Sequence, residues 1–245
     1  MYNKKPEMII FDVGGTLFDD GKCIPEKGFS ALLSIAENPE MTNEKELADY
    51  WEEFLNEVSD GLKTQEGKKL ETPLSAIIKY ATMNAGLHIA LPMAEQEELF
   101  DRFNSTRTVI DGVPELFKTL ERLNIRYGII SNNAMSGESL ALSIKHWIPS
   151  ISPEFCLTSA DIMFTKPYEK IFLTATNYSN LEPSECWYCG DGRIPDVDGA
   201  KNAGMTPVLL DKKSKKTLEF RADSGRSEYM TINNWKVFKE YLEKI

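Results

Sequence analysis

Asp12, Lys166, Asp191 and Asp196 are the residues whose types and settings could carry chemistry. Asp12 ends a short apolar run over 8–11 and is followed by Gly14, Gly15 and the hydroxyl of Thr16. An acid at the carboxyl end of a buried strand, ahead of a glycine turn, stands where open α/β sheets gather their ligands. A carboxylate there can attack phosphorus and form an acyl phosphate, which splits one hard displacement into two easier ones. Transfer of a phosphoryl group needs positive charge around its equatorial oxygens. Lys166, in Thr165-Lys166-Pro167, supplies a fixed cation, and Ser131, ending Ile129-Ile130-Ser131-Asn132, supplies a hydroxyl beside backbone N–H groups. Asp191 and Asp196 share one stretch, Gly190-Asp191-Gly192-Arg193-Ile194-Pro195-Asp196. They would repel each other and Asp12 unless a cation lay among them, and oxygen-only ligands suit Mg2+, which keeps several waters.

The elements that must position these residues are legible from periodicity. Apolar residues at Val113, Leu116, Phe117, Leu120 and Leu123 predict a helix over 113–123, with Pro114 suited to its first turn. Buried strands are expected over 127–130, 155–157, 186–189 and 207–210, with helices over about 168–178 and 197–203 between them. A last short strand and a closing helix are expected within 229–245. Strand–helix units of this length imply a parallel sheet with helices on both faces. From about 21 to 108 the pattern changes: helices are expected over 29–35, 44–58, 73–85 and 94–103, with no strand. A helical block inserted straight after the first strand reads as a lid over the strand ends.

Four motifs, Asp12 to Thr16, Ile129 to Asn132, Thr165 to Pro167 and Gly190 to Asp196, thus follow in order at four predicted strand ends. Together they resemble the haloacid dehalogenase-like (HAD) superfamily, whose first motif is DxDGT and whose first Asp is a nucleophile. The resemblance covers the core throughout, while the helical block matches only in position and helical character the C1-type cap of subfamily I. It implies a Rossmann-like, doubly wound α/β fold, with residues 1–20 and 109–245 as the core and 21–108 as the cap. It also implies an aspartyl-phosphate at Asp12, with Ser131, Asn132 and Lys166 holding the phosphoryl group. Mg2+ would take Asp12, the backbone carbonyl of Gly14 and Asp191, with Asp196 direct or through water. The implied partner is a small phosphorylated metabolite.

This sequence departs from the family pattern at Gly14, where phosphatases carry a second Asp that protonates the leaving oxygen and then activates water. Losing such a group costs roughly 10²–10⁴ in rate. The metal site survives, because a carbonyl is present whatever the side chain. Three readings stay open: a phosphatase that is slow or takes good leaving groups such as acyl phosphates; an enzyme of another bond, as in dehalogenases and phosphonatases; or a ligand-binding protein with impaired turnover. Dehalogenases clamp a substrate carboxylate with a cap arginine and use no metal, yet no Arg precedes Arg102 here. Phosphonatases use a cap lysine as a Schiff base, and Lys63, Lys68 and Lys69 fall in the cap region but read as solvated surface. Gly14→Asp is expected to raise monoesterase activity by restoring a proton donor. Asp19 and Asp20 read as turn residues near the cap hinge, either of which could stand in for the missing acid through a water.

Bulk properties narrow the partners. The 245 residues carry a net charge of −10, against a nucleic-acid backbone as ligand. No apolar stretch approaches the roughly 20 residues that span a bilayer, and the run before Asp12 is too short for a signal-peptide core. Four cysteines are too few for a disulfide framework, and the cytoplasm is the expected compartment. Cys186 and Cys189 should point to opposite faces of one buried strand, which favours packing over metal or redox chemistry. His88 and His146 match no motif and read as surface residues, and Trp51 and Trp147 as packing residues. The sequence carries no signature of a particular oligomeric state.

Overall fold

A computed structural model describes residues 2–58, 61–65, 67, 69–222 and 228–245. In chain order its elements are β1 (Met8–Phe11), β2 (Phe18–Asp19), α1 (Pro25–Leu33), α2 (Glu44–Glu57), α3 (Leu74–Asn84), α4 (Met93–Asn104), β3 (Thr108–Val109), α5 (Val113–Arg122), β4 (Arg126–Ser131) and α6 (Gly137–Trp147). They continue as β5 (Cys156–Thr158), α7 (Ser159–Ile162), α8 (Glu169–Ser179), β6 (Cys186–Gly190), α9 (Gly199–Asn202), β7 (Thr206–Leu210), β8 (Leu218–Arg221), β9 (Tyr229–Ile232) and α10 (Trp235–Leu242).

The main sheet runs β5-β4-β1-β6-β7-β9-β8. Its pairings are parallel except for β8 against β9. β1 lies at the centre, between β4 and β6, and every one of its residues is buried. This is why 8–11 reads as an unbroken apolar run rather than an alternation. Alternation survives in where each residue points. Ile9, Phe11, Trp187 and Cys189 join a core with Phe117, Leu140 and Phe238 on one face of the sheet. Met8, Ile10, Cys186 and Tyr188 meet Ile171, Phe172 and Ala200 on the other. Cys186 and Cys189 therefore do face opposite ways, as small packing residues with unpaired thiols.

α1 to α4 bury an apolar cluster of their own, formed by Phe29, Leu32, Leu47, Leu74, Ile78, Ala81 and Phe100. Trp51 stacks on Phe100 within it, ring centroids 5.1 Å apart. Met135 of the core closes this cluster from below, and Leu74 N–H donates to the Ala134 carbonyl. The fold is thus a Rossmann-like sheet bearing an inserted helical cap. One expectation for the insert needs correcting: the chain returns through a strand, β3, which pairs antiparallel with β2. A two-residue ladder carries almost no periodic signal, so the pattern reads as loop.

Besides the short β2 and α7, the core elements α6 and β8 escaped the sequence pattern. α6 is capped by Ser136, whose hydroxyl accepts from Ser139 N–H at 3.2 Å. Its buried face mixes Gly137, Ser139 and Ser143 with Leu140 and Ile144, which dilutes the helical apolar stripe. β8 is half-exposed along its length and adds to the sheet edge. Residues expected to form one helix over 197–203 divide into a wider, π-type turn over Arg193–Asp198 and then α9. His88 and His146 lie at the surface, as expected.

Candidate active site

The carboxyl ends of β1, β4 and β6 lie side by side at the centre of the sheet, where the strand order reverses, and they deliver Asp12, Ser131 and Asp191 to one edge. Ligands of open α/β sheets bind at such a point. Asp12 N–H donates to the Cys189 carbonyl, continuing the β1–β6 ladder by one residue and fixing where the carboxylate emerges. The loop then turns tightly: Gly15 N–H donates to the Phe18 carbonyl at 2.7 Å, and Gly15 sits at φ +69°, in the left-handed region that favours glycine. A Cβ at Gly15 would lie 2.1 Å from Asp191 Oδ2, so this turn also makes room for the acid.

Lys166 is the electrostatic hub. Its ammonium donates to Asp12 Oδ1 and Asp196 Oδ1, both at 2.7 Å, and to the Tyr188 hydroxyl at 2.9 Å. The lysine side chain is only 3% exposed, so these bonds satisfy a charge that water does not reach. Its backbone is clamped by Asn132, whose Oδ1 accepts from Lys166 N–H at 2.7 Å and whose Nδ2 donates to the Lys166 carbonyl at 3.1 Å. Asn132, expected at the phosphoryl group, thus uses one bond from each end of its amide to hold Lys166, which lies in a turn ahead of α8 and not at a strand end as expected. Ser131 is buried beside it at the end of β4. Asp196 Oδ2 accepts from Gly192 N–H at 2.7 Å, which folds the motif loop back on itself. Asp198 pairs instead with Arg193 and stays out of the cluster.

Asp12, Asp191 and Asp196 each present a carboxylate oxygen within 4.8 Å of the others. With Lys166 as their cation the group keeps an excess of negative charge. Burial above all pushes the Asp12 carboxyl up to about 6; Asp196 adds to the rise and Lys166 opposes it. Asp191 is raised first by desolvation and then by Asp196. Burial alone would lower the Lys166 ammonium, but Asp12 and Asp196 hold it above the ordinary lysine value. Carboxyls that resist ionising around one point form a donor set suited to a hard divalent cation, and oxygen-only ligands fit Mg2+.

Tyr188 falls, on the sequence, only within the buried strand expected over 186–189. It is fully buried on the α8 side of the sheet, and its hydroxyl both accepts from Lys166 and donates to the Ile130 carbonyl at 3.1 Å. Its place two residues before Gly190 on a strict alternation was the available signal. Tyr188→Phe is expected to lower Tm by about 2–4 °C, since a buried hydrogen bond is worth about 1 kcal/mol in a chain of this size. An unchanged melting curve would mean that Lys166 is held by its carboxylates alone.

Lys166 and Asn132 also border a cavity of about 670 Å³, lined besides by Lys69, Glu71, Thr165, Pro167, Tyr168, Glu169 and Asn202, with none of the three acids in its wall. The cap contributes its wall through a short extended segment. Leu70 bridges to Phe164, Glu71 Oε2 accepts from Ser159 Oγ at 2.8 Å, and the Lys69 carbonyl accepts from Thr165 Oγ1 at 3.0 Å. Lys69 is therefore exposed yet beside the cavity, whereas Lys63 only bridges to it in the backbone, and Lys68 lies outside the described residues.

Comparison with known proteins agrees with this geometry. The family model for haloacid dehalogenase-like hydrolases matches residues 9–210. A glyceraldehyde 3-phosphate phosphatase of Methanothermobacter thermautotrophicus is 25% identical over 142 residues, an alignment spanning 57% of this chain and 57% of that relative. Among solved structures, a 2-haloacid dehalogenase from Pseudomonas syringae pv. Tomato superposes with a TM-score of 0.56 at 20% identity, covering 97% of this chain and 98% of that one. An HAD phosphatase from Thermococcus onnurineus gives a TM-score of 0.55 at 18% identity, covering 98% of each. Fold, motif order and family match coincide: the chain belongs to the haloacid dehalogenase-like hydrolases.

Proposed function

We propose that this enzyme is a Mg2+-dependent phosphatase of a small phosphorylated metabolite, working through an aspartyl-phosphate at Asp12. The observation that carries this reading is the Lys166 ammonium held at 2.7 Å from both Asp12 and Asp196, with Asp191 completing the acidic cluster. Asp12 attacks phosphorus, the bond to the leaving oxygen breaks, and water then releases phosphate from the acyl phosphate. Lys166 and Ser131, with nearby backbone N–H groups, hold the equatorial oxygens, and Asn132 keeps Lys166 in place. Asp12, the Gly14 carbonyl and Asp191 would hold Mg2+, with Asp196 direct or through water. The ion, when bound, supplies the positive charge that lets an anionic phosphoryl group approach a carboxylate.

Among the described residues no arginine lines the cavity to clamp a substrate carboxylate, which favours this over dehalogenation. Its polar lining suits a short hydroxylated skeleton, of the size of the triose in the name of the Methanothermobacter relative. We take residues 1–20 and 109–245 as the catalytic core and 21–108 as the cap that sets substrate choice. Four unpaired cysteines fit a reducing compartment, and we place the enzyme in the cytoplasm. No helix among the described residues is long and apolar enough to cross a membrane.

A panel of phosphomonoesters and acyl phosphates, assayed with and without Mg2+, tests this function. Mg2+-dependent phosphate release is expected. If Mg2+ and phosphate bind while no substrate is hydrolysed, the chain is a ligand-binding protein.

The raised carboxyls also predict how metal binding depends on pH. Protons compete with the ion at Asp12 and Asp191, so affinity should fall as pH drops through about 6. At pH 7.5, Mg2+ at a hundredfold excess over its Kd is expected to raise Tm by about 5–10 °C. At pH 5 the same concentration should give a much smaller shift. Equal shifts at both pH values in scanning calorimetry would contradict a site built on these acids.

A further inference from the structure

Gly14 lacks a side chain, but the space beside it is not empty of acid. A Cβ built on Gly14 would lie 2.7 Å from Asp20 Oδ2. In an aspartate the carboxylate oxygens stand about 2.4 Å from their own Cβ. Asp20 therefore places an oxygen close to the shell that the carboxylate of an aspartate at position 14 would sweep. The backbone at Gly14 is outside the left-handed region, so conformational strain is not what keeps a side chain away.

The placement of Asp20 is held from its far side. Arg107, buried where the chain returns from the cap, donates through Nε to Asp20 Oδ1 at 2.8 Å. The same guanidinium donates through Nη1 to Asp101 of α4 at 2.8 Å and to Ser143 of α6 at 3.2 Å. One carboxylate oxygen of Asp20 is thus pinned by a cation anchored to both cap and core, while the other faces Gly14. The Asp20 side chain is 45% exposed, so water reaches it.

We propose that Asp20, projecting from the cap hinge against Gly14 and positioned by Arg107, is the catalytic carboxylate that activates water against the aspartyl-phosphate. This rests on the aspartyl-phosphate proposed at Asp12. A water attacks phosphorus and gives one proton to Asp20, and the bond between phosphorus and Asp12 breaks to release phosphate. The proton taken by Asp20 passes to the leaving oxygen of the next substrate as Asp12 attacks. Arg107 is a positioning residue.

Rapid-quench kinetics with radiolabelled 4-nitrophenyl phosphate and Mg2+ test this. Asparagine at position 20 keeps an acceptor for Arg107, so Asp20→Asn removes the base and spares the anchor. Asp20→Asn is expected to release a burst of nitrophenolate, to accumulate hydroxylamine-labile label on the protein, and to lose about 10²–10⁴-fold in steady-state rate. Asp19→Asn, whose native partner is the surface Lys212, should match the wild type. Gly14→Asp alone, from which the sequence predicts a gain, sets two carboxylates together beside Asp20 and should give none, while Gly14→Asp added to Asp20→Asn should recover hydrolysis and erase the accumulated label. Wild-type turnover in a folded Asp20→Asn variant, or a gain from Gly14→Asp with Asp20 intact, would overturn the assignment. Turnover in the wild type with no label in any variant, even at the shortest quench, would instead remove the aspartyl-phosphate, and the role of Asp20 with it.

Discussion

Asp12→Asn is expected to abolish turnover, with a loss of about 10⁴-fold or more in kcat, comparable to removing other covalent nucleophiles. The asparagine keeps the size of the side chain and an acceptor for Lys166, but its amide oxygen is a poor nucleophile and brings no charge to a cation. The same substitution should not harm the fold. The Asp12 carboxyl is pushed up to about 6, chiefly by burial. For an acid whose folded pKa is raised, the favourable contribution is present at low pH and is lost as pH rises through the folded value. Metal-free Asp12→Asn should therefore melt at or above the wild-type temperature at pH 7.5, and the two proteins should converge only as pH falls below the ordinary carboxylate value of 3.8. Parallel assays of phosphate release and thermal melting check both halves. An inactive but less stable variant would mean that Asp12 holds the loop together rather than serving the chemistry.

Lys166→Met should do the reverse, losing stability as well as activity. The lysine side chain is 3% exposed and separates Asp12 from Asp196, whose side chains are 10% and 2% exposed. Methionine keeps most of the volume but leaves two buried carboxylates facing each other. Breaking a buried ion pair from one side costs about 3–5 kcal/mol, which corresponds to a Tm lower by roughly 6–20 °C for a chain of this length. Two conditions should recover part of that loss. Mg2+ replaces missing positive charge, and lower pH protonates Asp12. The rate should fall by about 10²–10³ even in the metal-loaded protein, because a preorganised donor to the phosphoryl oxygens is gone. Calorimetry with and without Mg2+ separates these effects. A metal-free melting temperature within a degree of wild type would show that the acids do not depend on Lys166.

Most of the acidic cluster and its lysine was legible because of where each member sits in the chain. Asp12, Ser131 and Asp191 each stand at or just beyond the end of an apolar run, and such runs become parallel strands whose carboxyl ends share one edge. Lys166 and Asp196 followed from motif order. The grip of Asn132 on the Lys166 backbone was not legible, because whether an amide meets backbone depends on how two loops approach. Tyr188 was hidden inside Cys186-Trp187-Tyr188-Cys189, where every residue is buried and only the face it occupies separates packing from a role beneath Lys166. Asp20 and Arg107 are 87 positions apart, and no local period links them. Their pairing exists only because the exit from β2 and the return before β3 cross at the cap hinge. The residue that makes this chain unusual, Gly14, was plain in the sequence; the acid beside it needed the fold.

The most direct test of the whole account is where phosphate becomes attached. The protein would be mixed with acetyl phosphate and Mg2+, quenched within milliseconds, digested and mapped by mass spectrometry. The expected result is a hydroxylamine-labile phosphoryl group on the peptide that carries Asp12, more abundant in Asp20→Asn and absent from Asp12→Asn and from metal-free protein. Hydrolysis of acetyl phosphate with the phosphoryl group on a different residue, or undiminished in Asp12→Asn, would contradict it.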